Sequence, residues 1–379
     1  MKLIFFTPLL STKGGQERTL TDKANYLAGH GHEVMLLTYE HDGPLAYQLS
    51  PAVKHVDLHC HFFLLYRFSL WRRFVETFRL KILFRQRMKD LISRYRPDVI
   101  VITVPNTENF ICDIMEVVKG IPVIVESHLA QGRQVIRRGM TEKWLYYLYN
   151  PLKAVKKSNL LITLTIEDAK CWSKLGVKHI KVIPNPVTSY FDALSKVMKQ
   201  EGRIICVGRL TPQKRFDRLI SAFSLIASKF PDWYVDIYGA GEEHDKLLSQ
   251  ISNSQCSDQI HLLSPVSDIY GEYLRSQFFV LSSDFEGFGL VIVEAMACGI
   301  PVISTNCPFG PSEIIEDGST GLLAKMEVED LAAKIEWMIT HPEKRILMGQ
   351  KAHLAAARYR KEIVIPEWER AYLSVVVNS

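Results

Sequence analysis

Short apolar runs recur along the chain, and most end in a polar or glycine-bearing turn that leads into a segment with helical spacing. One series comprises residues 2–6 (KLIFF), 33–38 (EVMLLT), 97–103 (PDVIVIT), 121–128 (IPVIVESH), 160–165 (LLITLT) and 181–187 (KVIPNPV). A second begins with residues 203–210 (RIICVGRL) and continues through WYVDIY, QIHLL, 278–281 (FFVL) and 301–305 (PVIST). Runs that are apolar throughout, not every second residue, suit strands of a parallel sheet covered on both faces. Their alternation with helices predicts an α/β chain. With 379 residues the chain exceeds one ordinary core and is expected to form about two domains. Pro184, Asn185 and Pro186 read as a hinge, and the polar stretch 188–202 as a linker. The two halves read as two copies of one strand–helix plan.

Residues 282–294, SSDFEGFGLVIVE, concentrate the chemistry. The FFVL strand runs into Gly287 and Gly289, which permit a tight turn and a close backbone approach. Gly299 and Pro301 mark the far end of a helix. A strand, a glycine turn and a helix start make an anion site. Glu294 is the one charge within LVIVEAMAC, and a carboxylate there needs a partner. Glu286 and Glu294 beside such amides suit a ligand that is part sugar and part phosphate. LVIV also admits a strand, with Glu286 in a solvated turn and Glu294 in an internal ion pair.

Hydrophobic residues at 47% and charged residues at 23% are those of a globular protein. A net charge of +5 does not by itself point to nucleic acid. The seven cysteines (60, 112, 171, 206, 256, 298, 307) are scattered and form no C-x-x-C pair, which predicts reduced thiols, a cytoplasmic location and no structural zinc. MKLIFFTPLL resembles a leader, but Pro8 interrupts it and no small-residue cleavage site follows, so a first strand is expected. No run reaches the roughly 20 apolar residues of a membrane span.

Several other stretches bear on function. STKGGQER, with Gly14 and Gly15, joins the first strand to a helix without a G-x-G-x-x-G fingerprint, and a plain tight turn accounts for it equally. Gly239-Ala240-Gly241 also follows a strand, but His244 stands where the third glycine belongs, so a nicotinamide site is rejected. Arg209 and Lys214 flank a strand-to-helix turn, where cations oppose the helix dipole; a bound anion or a solvated turn explains them. Glu126, Ser127 and His128 end a strand at the edge where open sheets bind ligands, although a lone histidine is more often structural. Residues 62–96 place ten Arg and Lys among aromatic residues, with Glu76 and Asp90 as the opposing charges. That pattern suits a segment on an anionic membrane surface or a solvated helix on its own domain. No nucleic-acid motif accompanies it.

GGQER (14–18), GRLTPQK (208–214), YGAGEE (238–243), EGFGLVIVEAMACGIPVI (286–303) and GPSEII (310–315) together resemble glycosyltransferase family 4, the group 1 retaining enzymes of GT-B fold. The resemblance runs through nearly the whole chain and keeps the family's order. It implies two Rossmann-like domains facing across a cleft. The N-terminal, acceptor-side domain would span 1–187, with a final helix, 362–379, packing back on it. The nucleotide-sugar domain would span 188–361. By resemblance Arg209 and Lys214 hold the donor diphosphate, Glu294 the ribose, and Glu286 the donor sugar with the amides near Phe288, Gly289 and Leu290. Gly15 lets backbone approach the phosphate or sugar, His128 lies near the transferred sugar, and Asn185 lies near the cleft. The expected donor is a nucleotide-diphosphate sugar, UDP-sugar favoured; no D-x-D occurs, and no metal is expected. The expected acceptor is a growing, lipid-linked surface glycan. The rival readings are a nucleotide-sugar 2-epimerase of the same fold and a non-enzymatic two-domain sugar-binding protein.

Overall fold

The computed structural model describes residues 1–104, 108–128, 151–190 and 199–377. Part of the 188–202 stretch and the last two residues of the expected 362–379 helix lie outside them. The chain divides into two compact units, Met1–Pro184 with Glu362–Ser379, and Asn185–Lys361.

The first unit holds a seven-stranded parallel sheet of β1 (Lys2–Phe6), β2 (Glu33–Thr38), β3 (Val53–Asp57), β4 (Val99–Val104), β5 (Val123–Ser127), β6 (Leu160–Thr163) and β7 (Ile180–Val182). Their order is β3-β2-β1-β4-β5-β6-β7. The second unit has six parallel strands, β8 (Arg203–Val207), β9 (Tyr234–Tyr238), β10 (Ile260–Leu263), β11 (Phe278–Leu281), β12 (Val302–Thr305) and β13 (Gly321–Ala324), in the order β10-β9-β8-β11-β12-β13. Both are doubly wound, Rossmann-like sheets. The chain winds outward from β1 in one direction and resumes on its other side at β4, and likewise from β8 at β11, so each sheet has a switch point where ligands are accommodated. The central strands β4, β5, β11 and β12 are buried along their whole length, as expected of parallel strands covered on both faces. The short run VKHVD, which forms β3 at a sheet edge with only Val53 buried, was not expected as a strand.

LVIVEAMA is helical, spanning Leu290–Ala297, with Gly289 before it at φ 93°. Eight consecutive apolar or buried positions fit because this helix is covered nearly all round. Phe216, Leu219, Ile220 and Phe223 are all buried on helix Phe216–Ser224. The basic aromatic segment forms a 3₁₀ turn, Phe62–Arg67, and a helix, Leu70–Tyr95, whose two halves differ. Phe84, Met88 and Ile92, four residues apart, pack into the first unit's core. Lys81 and Arg85 pair with the buried carboxylate of Asp113 at 3.2 and 2.7 Å. The first three turns instead expose Leu70, Trp71, Phe74 and Phe78, Trp71 at 78%.

The Gly239-Ala240-Gly241 turn has a packing explanation. A Cβ on Gly239 would stand 2.1 Å from the Gly208 carbonyl, and one on Gly241 would stand 2.3 Å from that of Leu210. The loops after β8 and β9 lie backbone against backbone, joined by Leu210 N–H to Ala240 O at 2.9 Å and Glu243 N–H to Leu210 O at 3.0 Å. These glycines hold the GRLTPQK loop in place. Gly239→Ala is expected to destabilise the protein by about 2 kcal/mol or more. Gly29→Ala, where an added Cβ meets nothing within 4 Å, should be neutral or mildly stabilising. Urea denaturation of the two variants checks this, and equal midpoints would refute it.

Candidate active site

At the second unit's switch point two loops are stitched together. The loop after β8 carries residues 208–215 and the loop after β11 carries residues 282–289. Asp284 N–H donates to Gln213 O at 2.9 Å, Gln213 Nε2 donates to Phe285 O at 2.7 Å, and Ser282 Oγ donates to Lys214 O at 2.9 Å. Arg218, buried on the helix that follows, reaches Ser282 O at 2.7 Å and Asp284 Oδ1 at 2.7 Å. These links deliver Lys214 to Glu286: its Nζ lies 2.7 and 3.0 Å from the two carboxylate oxygens. Ser283 Oγ donates to the same carboxylate at 2.6 Å. A carboxylate held by an ammonium and a hydroxyl can exchange one donor for a ligand hydroxyl.

The rest of the site folds around Glu286. Its N–H donates to Pro308 O at 3.2 Å, and a Cβ on Gly310, at φ 122°, would stand 2.0 Å from the Phe288 carbonyl. The GPSEII loop therefore lies tightly on the EGFG loop. Phe288 is buried edge-on against Tyr359, with ring centroids 5.6 Å apart. Cys307, which had no evident role in the sequence, has its thiol pushed up to about 12, by burial first and then by the Glu286 charge. Gly289 and Leu290 open helix Leu290–Ala297. Glu294, within that helix, is buried and accepts from the Tyr273 hydroxyl at 3.4 Å. Arg209 is exposed. Asn185, at the start of this unit, is buried, and its Oδ1 lacks a hydrogen-bond partner among the described residues. Lys214 thus already faces a charge of the chain itself, an account of its position that neither a bound anion nor a solvated turn anticipated.

In the first unit β5 runs into Glu126, Ser127 and His128 beside the β1–β4 switch point. Gly15 is exposed and opens helix Gly15–Gly29. About two turns into that helix stands Lys23, which is fully buried. Its Nζ lies 2.6 Å from Glu126 Oε2 and 3.7 Å from the centre of the Trp368 ring. Tyr372, on helix Lys361–Val377, donates to Glu126 Oε1, and His128 Nε2 lies 3.0 Å from Glu126 Oε2. Burial alone would raise the Glu126 carboxyl; the Lys23 charge and the His128 hydrogen bond outweigh it and hold it at about 2. Burial pushes His128 down against the pull of Glu126.

Ser283, Gln213 and Arg218 were not singled out from sequence, nor were Lys23 and Tyr372. Arg218 had no visible signal: helical spacing puts it opposite the apolar face of Phe216, Leu219, Ile220 and Phe223. Lys23, in the mixed sequence TLTDKANYL, had none. Its partner lies 103 residues away. Among the described residues no group of histidine, cysteine and acidic side chains is placed to hold a metal ion, and no helix is long and apolar enough to cross a membrane.

Comparison with known proteins gives these loops a context. The family model described as Glycosyltransferase Family 4 matches residues 13–189, and the one described as Glycosyl transferases group 1 matches residues 193–354. Each model falls on one α/β half, and together they define a glycosyltransferase enzyme. The chain belongs to glycosyltransferase family 4, group 1. It is similar to an uncharacterized glycosyltransferase of Haemophilus influenzae, 26% identical over 374 residues, covering 97% of this chain and 99% of that one. It is also similar to the amylovoran biosynthesis glycosyltransferase AmsD of Erwinia amylovora, 30% identical over 218 residues, covering 55% of this chain and 60% of that one. Among solved structures, Anabaena HepE in complex with UDP and glucose shares the fold, with a TM-score of 0.73 at 19% identity over 99% of this chain and 100% of that one.

The buried carboxylate in the first unit predicts acid sensitivity. Glu126 binds its proton at about 2 when folded, against 4.5 ordinarily, so the unfolded chain takes up that proton first as the pH falls. The stability it contributes is complete above about 4.5 and is lost towards about 2. His128, lowered from 6.5, acts in the same direction from a higher starting point. Urea midpoints measured against pH should fall on acidification, with the Glu126 part on the order of 3 kcal/mol. Glu126→Gln should lack the step below about 4.5; the same step in the variant would refute the assignment.

Proposed function

We propose that this enzyme transfers a hexose or N-acetylhexosamine from a nucleotide-diphosphate sugar, UDP-sugar favoured, to a growing, lipid-linked surface glycan, with retention at the anomeric carbon. The observation that carries the reading is the joining of Lys214 and Glu286 at the second unit's switch point, 2.7 Å apart. A donor of this kind needs a cation at its diphosphate and acceptors for its hydroxyls, and these two groups supply one of each. The similarity to an amylovoran biosynthesis enzyme supports a polysaccharide product, and the UDP and glucose bound by Anabaena HepE support the donor class.

In this reading Arg209 and Lys214 neutralise the diphosphate as the bond from the anomeric carbon to its oxygen breaks. Glu286 and the amides of Phe288, Gly289 and Leu290 hold the sugar, and Glu294 takes the ribose hydroxyls. The acceptor hydroxyl attacks from the face that the leaving group vacates. Its proton passes to an oxygen of the departing diphosphate, so configuration is retained. Gly15 and Asn185 permit close approach, and His128 meets the transferred sugar. Side-chain cations serve the leaving group, so no metal is required.

The lipid-linked acceptor is supported by the first turns of helix Leu70–Tyr95. Leu70, Phe74, Phe78 and Ile82 form one exposed stripe with Trp71 and Val75 beside it, and Arg67, Arg72, Arg73 and Arg79 are exposed around it. Aromatic residues ringed by arginines suit the surface of an anionic bilayer. The wild type should float with vesicles containing phosphatidylglycerol and not with phosphatidylcholine alone. Flotation undiminished in a Trp71→Glu, Phe74→Glu, Phe78→Glu variant would remove this contact.

Lys214→Ala and Glu286→Ala should each lower kcat/KM with a UDP-sugar by about 10²–10³-fold. Activity should persist in EDTA, and proton NMR of the product should show the donor's anomeric configuration. Full activity in both variants would overturn the mechanism. An epimerised nucleotide sugar as the product would replace it with the 2-epimerase reading.

A further inference from the structure

The first unit contains a buried polar assembly, and of its members only His128 has a role in the reading above. Lys23, Glu126, Trp368 and Tyr372 each have no exposed surface, and His128 is 7% exposed. The carboxylate of Glu126 is fully subscribed: Oε1 accepts from the Tyr372 hydroxyl, and Oε2 faces Lys23 and His128. Lys23 also lies 3.4 Å from the Tyr372 hydroxyl. Trp368 lies parallel to the His128 ring, tilted by 7° with centroids 6.4 Å apart, and is itself tied to Pro184 O through its indole N–H at 3.0 Å. Three elements distant in sequence, the first helix, β5 and the last helix, thus converge on one imidazole.

The chemistry of these groups decides which ring nitrogen carries the proton. An ionised carboxylate only accepts, so the 3.0 Å contact to His128 Nε2 requires a hydrogen on Nε2. Lys23 and Glu126 cancel in charge, and a second proton on the imidazole would leave an uncompensated cation in a buried place beside an ammonium. The ring is therefore neutral, and Nδ1 presents a bare lone pair. That atom is buried and has no hydrogen-bond partner among the described residues. Thr19, one turn before Lys23 on the same helix face, likewise leaves a buried Oγ1 without a partner. A buried acceptor without a donor is destabilising unless something supplies one.

We propose that Lys23, Glu126 and Tyr372 are positioning residues that lock His128 as the neutral Nε2–H tautomer, so that Nδ1 accepts a hydrogen bond from a substrate hydroxyl. Lys23 keeps Glu126 an anion, Glu126 takes the Nε2 proton, and Tyr372 fixes the carboxylate's rotation. The last helix thereby sets the chemical state of a side chain at the end of β5. Only the identity of the hydroxyl, as one on a nucleotide sugar, rests on the proposed transferase function.

Long-range ¹H–¹⁵N NMR of the full-length protein labelled at histidine tests this, with the His128 signals assigned by their loss in His128→Gln. Without any substrate, Nε2 should resonate as a protonated, pyrrole-like nitrogen and Nδ1 as a bare, pyridine-like one, unchanged between pH about 6 and about 8. The opposite tautomer, or an imidazolium at neutral pH, would overturn the proposal. Glu126→Gln should pull both signals towards the averaged values of exchanging tautomers. If it does not fold, Glu126→Asp, which keeps a charge for Lys23 but withdraws it from the ring, should do the same. A folded variant that keeps the wild-type pattern would show that Glu126 does not set the tautomer. Saturating UDP-glucose should shift Nδ1 in the direction of an accepted hydrogen bond; binding without that shift would overturn the acceptor role. If no nucleotide sugar binds, the proposed function fails while the tautomer measurement stands.

Discussion

A buried carboxylate has to be met by a cation and by hydroxyls, and each half of this enzyme is organised around one such carboxylate at the ligand-binding end of its sheet. In the first unit Glu126 is met by Lys23 and Tyr372. In the second, Glu286 is met by Lys214 and Ser283. Each lysine comes from the segment that follows its sheet's first strand, β1 or β8. Each glutamate comes from the other side of the switch point, on β5 or after β11. The ion pair therefore spans the crevice that the doubly wound order creates. Removing one member of such a pair destabilises more than the pair stabilises, because the remaining charge keeps its desolvation penalty.

The two pairs differ in how far they are sealed. Lys23 and Glu126 have no exposed side-chain surface, whereas Lys214 and Glu286 retain 14% and 7%. A sealed pair cannot exchange partners with a ligand and acts by fixing its neighbours, here His128. A partly open pair can exchange. The division of labour proposed for the units, one holding a ring in a defined state and the other meeting charge and hydroxyls directly, rests on that difference in access.

Much of the sheet architecture was legible because parallel strands covered on both faces leave unbroken apolar runs, as in VIVITV of β4 or FFVL of β11. The edge strand VKHVD was not, because an edge strand is only partly covered and three of these five residues are polar. Glu294 stood out as the lone charge on an apolar helix. Its partner Tyr273 did not, since a tyrosine in IYGEYLR serves equally as core. Lys214 and Glu286 were each visible as charges near a glycine turn, but a contact across 72 residues leaves no local trace. The GAG turn shows the reverse case. Its resemblance to a nucleotide fingerprint comes from the same physical need, backbone approaching closely without a Cβ, here met by the neighbouring loop.

The pairing of Lys214 with Glu286 does not remove the lysine from service. An ammonium has three N–H donors, and Glu286 engages it at 2.7 and 3.0 Å through its two oxygens. A third donor is left for an incoming anion. Because Ser283 also donates to Oε1, at 2.6 Å, the carboxylate stays solvated by the protein if Lys214 swings towards a phosphate. The serine thus lowers the penalty of moving the cation. A hydroxyl of the ligand arriving at the same time restores the lost donor at Glu286. In the proposed transferase reading, phosphate capture and hydroxyl capture are in this way coupled through one carboxylate, and a ligand offering both groups is favoured over one offering either alone.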